Sequence, residues 1–377
     1  MSRRKNRYQR RNAKREAKRE KLAKYDNYDN LTNYTAIYNA IIRASKGVRW
    51  KASVQRFLIN IFSKVYSISK SMVELKDPRM GFIEFDISER GKVRHIRSVH
   101  FNERVIQKTL CTNALYPMIS RSLITDNCAS QKGKGTHFAL RRVVKFLRNY
   151  YNHYGNEGYV LKIDFKRYFD NIEHAPLKKM LRKYFADKNI NWLNDVFIDA
   201  FGEKSLGLGS ETSQINAILY PNSIDHWFKE VKRCRYCVRY NDDTLIIHHS
   251  KDELKEWFSE VNDKYKELGI KVNTKKTKIT KLSKGFIFLK VRFFLTETGK
   301  IVRKPCRKSV TDERRKITRQ IRLLQNGIMT LEELLCSYNG WRGGKQHLTA
   351  RKTIFNMDKF LNDKLCGTIG LKSKEEK

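Results

Sequence analysis

The chain has 377 residues, of which 40% are hydrophobic, 11% are aromatic and 5 are prolines. It can therefore bury cores in one large domain or in two to three subdomains around a shared cleft, which excludes a wholly disordered polypeptide. The formal charge of +40 at pH 7 far exceeds what solubility requires and calls for a polyanionic partner, for which a nucleic acid is the expectation. No stretch approaches the roughly 20 apolar residues that span a bilayer, so no membrane partner is expected.

Residues 1–30 form a basic arm, with twelve Lys/Arg between Met1 and Lys24 and no apolar run of the kind a secretory signal carries. Interleaved Ala, Glu and Leu permit a helix that orders on RNA, and the same composition suits a solvated tail. Val54, Leu58, Ile61, Val65, Ile68 and Met72 recur on one helical face, which predicts a long amphipathic helix. GFIEFDI (81–87) and KVRHIRSV (92–99) flank a SERG turn and predict a hairpin, with Lys92, Arg94 and Arg97 on one basic face or its end.

Helix is predicted at about 102–116 and 136–151, strand at 159–165, helix at 175–187 with Pro176 in its first turn, and helix from Thr212 to about Lys229. RYCVRYNDDTLIIHH (235–249) has two β-prone halves around Asn241 and Asp242, residue types that suit a tight turn. A helix at 251–268 ends near Gly269, strands follow at 270–280 and 285–294, and a helical region runs from about Ser309 to Leu365 with breaks at Gly327 and NGWRGG (339–344). The seven dispersed cysteines form no disulfide framework and predict a reducing, cytoplasmic setting. Cys234 and Cys237 lack a second ligand pair for zinc, and histidine spacing assigns no His to a metal. The expected fold class is α+β.

Joining a nucleotide to a 3′-hydroxyl requires a deprotonated attacking oxygen and a neutralised pyrophosphate, a task suited to two divalent ions held by carboxylates. Asp164 ends an apolar strand, and Asp242 and Asp243 stand at a hairpin tip. Adjacent strands in one sheet would bring the three acids together. Each acid alone also suits a solvated turn. QKGKGT (131–136) offers glycines and lysines, including Lys132 and Lys134, that allow close approach to phosphates.

LKIDFKRYFDNIEH, LGLGSETSQINAILYPNSIDHWF, RYNDDTLII, LGIKVNTKKTKI and IFLKVRFF resemble, in order, the palm motifs of reverse transcriptases. KVRHIRSVHFNERVIQKTL and ASQKGKGTHFAL resemble fingers motifs of that family, and CSYNGWRGGKQHL resembles a thumb segment. The resemblance covers about residues 80 to 350 and implies a right-hand polymerase: fingers at 31–158, an antiparallel-sheet palm at 159–298, and a helical thumb with a basic tail at 299–377.

By this resemblance Asp164 and Asp242 are the principal ligands of two Mg²⁺ ions, for which Mn²⁺ can substitute, and Asp243 assists. The backbone carbonyl of Phe165 also faces a metal. Phe169 falls where an aromatic excludes the 2′-hydroxyl of a ribonucleotide, or else packs in the core. Lys92 and Arg94 fall where the triphosphate is neutralised. Lys276 matches a lysine that protonates pyrophosphate, or is a solvated lysine. Tyr240 and Asn241 belong to the YxDD box, and Lys290 replaces a glycine at the primer grip.

Where many relatives carry QGxxxSP, this chain has Leu208, Gly209, Ser210, Glu211, Thr212, Ser213 and Gln214. The TSQ ending resembles enzymes of diversity-generating retroelements, and some defence-associated enzymes share it. Leucine at 208 lacks the glutamine hydrogen bond near the nascent pair, worth about 0.5–1.5 kcal/mol, which predicts reduced fidelity. The roughly 80 residues after the last palm motif suit a three-helix thumb and no nuclease domain. The resemblance thus implies a bacterial or phage-encoded, cytoplasmic RNA-directed DNA polymerase acting on dNTPs, a cognate structured template RNA and a primer or cDNA strand, with a small basic accessory protein. Alternatives are an abortive-infection polymerase and, from another class, an RNA-binding splicing cofactor or chaperone with vestigial catalysis.

Overall fold

A computed structural model describes residues 9, 10, 12, 13, 16, 17, 20–89 and 92–369. Much of the predicted basic arm lies outside the described residues, as does the side chain of Lys92.

After a single helical turn at Asp29–Thr32 come helices α1 (Tyr34–Ala44), α2 (Ala52–Ile59) and α3 (Ile61–Val73). The long helix expected from the Val54–Met72 stripe is two helices, because Asn60 (φ −102°, ψ 31°) leaves helical geometry between them. Strands β1 (Phe82–Glu89) and β2 (Lys92–Val99) pair antiparallel from Phe82↔Val99 to Glu89↔Lys92, as the two alternating runs predict. Strand alternation separates two of the expected cations: Arg97 lies on the face opposite Arg94, where its Nε meets Glu84 Oε1 at 3.1 Å.

Helix α4 (Phe101–Leu110) passes into a π-helical turn, Cys111–Leu115, and the short helix Tyr116–Ile119. Next come α5 (Thr136–Tyr154), β3 (Tyr159–Asp164), α6 (His174–Leu181), α7 (Lys188–Asp199) and α8 (Glu211–Leu219). Helix α7 was not foreseen; Asp187 caps it by accepting from the Asn189 and Ile190 N–H groups. The helix expected to reach Lys229 stops at α8 before Pro221, and the chain re-forms helix at Asn222–His226.

Strands β4 (Cys237–Tyr240) and β5 (Asp243–His248) follow, then α9 (Lys251–Glu267) and β6 (Lys278–Lys281). The expected strand at 285–294 is a hairpin, β7 (Phe286–Phe288) and β8 (Val291–Leu295), turning at Leu289 and Lys290 with φ of 48° and 65°. β9 (Ile301–Pro305), also unforeseen, completes an antiparallel three-stranded sheet in the order β7-β8-β9. The central sheet has the order β4-β5-β3-β6, with β3 and β6 antiparallel from Tyr159↔Lys281 to Lys162↔Lys278. The last helices are α10 (Arg307–Gln325), α11 (Leu331–Gln346) and α12 (Arg351–Ile369).

The chain divides into two compact units that interleave along the sequence: residues 1–135, 163–244 and 256–277, and residues 136–162, 245–255 and 278–377. In the first, Ile37, Ile41, Val105, Leu110, Leu193 and Phe197 are among the buried side chains of its helices. In the second, Ile317, Ile321, Leu334, Tyr338, Trp341 and Met357 join α10, α11 and α12 in one core. The break expected at NGWRGG does not occur. Tyr338 and Trp341 are buried, and their packing holds the segment helical through Gly340, Gly343 and Gly344.

Candidate active site

All four residues expected to catalyse lie in the first unit. Apolar Val160, Leu161 and Ile163 bury β3 and carry Asp164 to its C-terminal end, where the residue is only 5% exposed. The Asp164 N–H donates to Thr277 Oγ1 (3.2 Å), and its carbonyl accepts from the Asn273 N–H (2.7 Å). The Lys166 N–H donates to the Lys271 carbonyl at 2.7 Å. These bonds flank the antiparallel pair Phe165↔Val272, so the Phe165 carbonyl points away from residues 271–273. Its ring is buried against Tyr168 and Tyr265, which leaves the backbone as its only route to a nucleotide.

The second pair of acids sits at the β4–β5 turn. Asn241 takes φ +51°, a conformation that Asn tolerates better than most residues; Asp242 completes the turn and Asp243 opens β5. Because β5 is the sheet neighbour of β3, the turn and the end of β3 belong to one sheet region. Burial pushes the Asp242 carboxyl up to about 6, and the charges of Asp243 and Asp164 add to this while Lys276 opposes it.

Lys276 links the group. Its ammonium donates to Asp164 Oδ1 (2.8 Å) and Oδ2 (3.0 Å). That bond holds the ammonium above its ordinary range, with the charges of Asp164, Asp242 and Asp243 adding to it. Electrostatically the three acids and the lysine are one cluster. The acids do not close into a tight three-oxygen cage: among the described residues, the set of three potential His, Cys, Asp or Glu ligands lying within 4.8 Å of one another is His248, His249 and Glu253, a juxtaposition that spacing had not flagged.

The donor set at Asp164, Asp242 and Asp243 is made of carboxylate oxygens, and burial first, with the neighbouring acids second, raises the Asp242 carboxyl. This is the chemistry of a site for hard divalent cations.

Beneath the turn lies a network that the sequence reading missed. Arg239, fully buried, donates from Nε to Asp225 Oδ1 and from Nη2 to Tyr265 Oη (3.0 Å), and its guanidinium stands 5.4 Å from the centre of the Phe165 ring. Burial pushes the Asp225 carboxyl up against the pull of Arg239. The sequence signal was an arginine set in the otherwise apolar or aromatic run YCVRY, with an acid of opposite charge in NSIDHWF. Asn273 and Thr277, which anchor the Asp164 backbone, were likewise passed over beside Lys276.

The remaining expected residues are placed as follows. The Leu208 carbonyl accepts from the Arg97 N–H at 3.2 Å, and a Cβ on Gly209 (φ +116°) would lie 2.9 Å from the Arg97 carbonyl oxygen, so β2 packs directly on this loop. Gln214 Oε1 accepts from Ser130 Oγ at 3.4 Å. Phe169 is half-buried, edge-on to Tyr168. Arg94 is exposed on β2. Lys132 is exposed, its ammonium 5.1 Å from the centre of the Tyr116 ring. Lys134 instead donates to the Thr125 and Asn127 carbonyls, each at 3.0 Å, so its ammonium has a structural task within its own loop. Tyr240 ends β4, and Asn241 Oδ1 is buried with no hydrogen-bond partner among the described residues. Lys290 lies in the β7–β8 turn of the second unit.

A family model described as reverse transcriptase (RNA-dependent DNA polymerase) matches residues 76–302, more than half of the chain. No curated protein matches it. Among solved structures, the telomerase of Candida albicans in complex with a fragment of telomeric RNA is similar at 13% identity and a TM-score of 0.50, over 81% of this chain and 62% of that one. The apo telomerase of Candida tropicalis, truncated from its C-terminal domain, is similar at 17% identity and a TM-score of 0.46, over 58% and 54%. The chain thus spans less than two thirds of either relative, and the likeness to the first is one of fold.

Proposed function

Because the chain belongs to the reverse transcriptase (RNA-dependent DNA polymerase) family, we propose that it is an RNA-directed DNA polymerase that makes cDNA from a cognate structured RNA. The observation that carries this is the cluster in which Lys276 bonds Asp164 while the charges of Asp164 and Asp243 act on Asp242.

In this reading Asp164 and Asp242 are the main holders of two Mg²⁺ ions, with Asp243 and the Phe165 carbonyl assisting, and Mn²⁺ can replace Mg²⁺. When bound, such ions lower the pKa of the primer hydroxyl and neutralise the leaving pyrophosphate. Lys276 holds a proton on Nζ within reach of the acids and delivers it to the departing pyrophosphate. Lys92 and Arg94 meet the triphosphate, and Phe169 excludes a 2′-hydroxyl. Leu208, Gly209 and Gln214 border the nascent pair. Lys132, Tyr240, Asn241 and Lys290 contact template or primer. The β1–β2 region serves as fingers, the central sheet as palm and α10–α12 as thumb.

The Leu208–Gly209 sequence and the TSQ ending at Thr212–Gln214 support a diversity-generating role, with copying of reduced fidelity and a small basic accessory protein. Primer extension on an RNA template with dNTPs tests the core reading: wild type extends, and Asp242→Ala loses synthesis while keeping RNA affinity. Unchanged biological activity in Asp242→Ala would assign the chain to RNA binding instead, and extension without any RNA template would assign it to the defence-associated class.

A further inference from the structure

Residues 30–73 contain no Asp or Glu and seven Lys/Arg, in a chain whose 377 residues include 39 acids. This segment forms α1, α2 and α3 and precedes the residues that carry the family match. Its helices already have an apolar stripe facing the core, with Ile37 and Ile41 buried on α1 and Val65, Ile68 and Met72 buried on α3. A second apolar row is left over, and it is aromatic. Tyr34 and Tyr38 stand four residues apart on α1, 56% and 40% exposed; Phe62 and Tyr66 stand four apart on α3, 78% and 58% exposed.

The two rows face each other across antiparallel helices. Tyr34 pairs with Tyr66 at 6.4 Å between ring centres, and Tyr38 lies nearly parallel to Phe62 at 6.3 Å. Lys70 continues the α3 row one turn beyond Tyr66, and Arg43 and Lys64 are also exposed on these helices. Solvated aromatic rings carry a burial penalty in reverse: they gain by being covered. The covering group must tolerate a field in which cations outnumber acids, since Glu74, just past α3 and already paired with Lys76, is the acid next to Lys70; this disfavours a second copy of this +40 chain.

We propose that the exposed aromatic rows of α1 and α3 form a stacking platform for a single-stranded segment of RNA, held in addition to the template at the catalytic acids. Unpaired bases present free π-faces to aromatic side chains, whereas duplex bases are already stacked on one another. The cations follow the backbone phosphates of the same strand. The RNA identity of the strand rests on the polymerase reading above.

The test uses the full chain and fluorescence anisotropy with an unstructured, labelled RNA oligonucleotide, a DNA of the same sequence, and a blunt RNA duplex. The variant Tyr34→Ala/Tyr38→Ala/Phe62→Ala/Tyr66→Ala is expected to bind the single-stranded RNA at least about tenfold more weakly, with duplex binding changed less than about twofold. The variant Tyr34→Phe/Tyr38→Phe/Phe62→Tyr/Tyr66→Phe keeps the rings and should keep the affinity. Lys64→Glu/Lys70→Glu, with the rings intact, should weaken binding and reduce its salt dependence. Circular dichroism and Tm establish that each variant folds. Single-stranded affinity unchanged in the alanine variant overturns the proposal, as does an equal loss for the blunt duplex, or a drop from dimer to monomer mass that marks the face as a protein interface; the DNA strand, whose unpaired bases stack alike, is expected to lose affinity in parallel with the RNA. Extension of a pre-annealed primer–template by wild type reports separately on the polymerase reading, and its failure leaves these binding measurements interpretable.

Discussion

The Lys276 ammonium donates to both carboxylate oxygens of Asp164, at 2.8 and 3.0 Å, so the proposed proton donor is bonded to a proposed metal ligand. A lysine in this position competes with a divalent cation for the same oxygens. Lys276→Ala is therefore expected to move two measurements in opposite directions. Divalent binding, read from the rise in Tm with added Mg²⁺, should reach its midpoint at a lower concentration. Single-nucleotide incorporation at saturating Mg²⁺ should slow by about a hundredfold, within the range of lost general acid catalysis. A variant in which neither quantity moves would mark Lys276 as a surface lysine.

Asp242 titrates in a window that metal-free unfolding can read. Its carboxyl is raised from an ordinary 3.8 to about 6, so between those values the folded chain holds a proton that the unfolded chain has released. For a raised acid, stability is greatest below the unfolded pKa and falls as pH rises through the folded one. With chelator present, stability should decline from about pH 4 to 6. Asp242→Asn removes that slope and stabilises the metal-free chain by roughly 2 kcal/mol at pH 7.5 while abolishing synthesis. Deprotonation is a condition for binding a cation, so Mg²⁺ affinity should fall below about pH 6 in wild type. Denaturant titrations in chelator across this range measure the first effect.

Leu208 meets β2 through its backbone carbonyl, which accepts from the Arg97 N–H at 3.2 Å and leaves the side chain to vary. Leu208→Gln should fold as wild type does and lower the misincorporation rate a few-fold to about tenfold, as one restored hydrogen bond allows. Sequencing of cDNA from both proteins reads this directly, and equal error spectra would remove the fidelity argument. Gly209→Ala is the contrasting change. Its Cβ would meet the Arg97 carbonyl oxygen at 2.9 Å in a backbone of φ +116°, which should cost about 1–3 kcal/mol and loosen β2 from the loop.

The buried pair Arg239–Asp225 supports the strand that ends at the Asn241–Asp242 turn. Removing one member leaves an uncompensated charge, and Asp225→Ala or Arg239→Met should each destabilise the chain by about 3–5 kcal/mol. The double variant Arg239→Met/Asp225→Leu should recover much of that loss in urea titration, and any remaining defect in synthesis would then report on the positioning of Asp242 rather than on stability.

Much of the fold was legible because local chemistry and tertiary packing agree. The β1–β2 hairpin follows from two alternating runs around a polar turn, and the β4–β5 turn from Asn241 and Asp242, residue types suited to that backbone. Where the two disagree, packing prevailed. NGWRGG has the composition of a break, yet Tyr338 and Trp341 hold it inside α11. GFIFLKVRFF reads as one strand, yet Leu289 and Lys290 adopt positive φ and fold it into a hairpin. Helix α7 escaped notice because KNINWLNDVFID mixes Asn and β-branched residues of modest helix propensity, and its helical state depends on burying Leu193 and Phe197.

The linear order of residues determined which acids are candidate ligands, the cationic character of the chain and the tight turn that presents Asp242, because each of these is a property of residue type or of a few neighbours. The tertiary structure alone decided that Lys276 bonds Asp164, that Arg97 leaves the basic face of β2, and that Arg239 and Asp225 meet in the core. Such pairings depend on which strands become neighbours and which way each side chain turns. Distance along the chain carries no information about either.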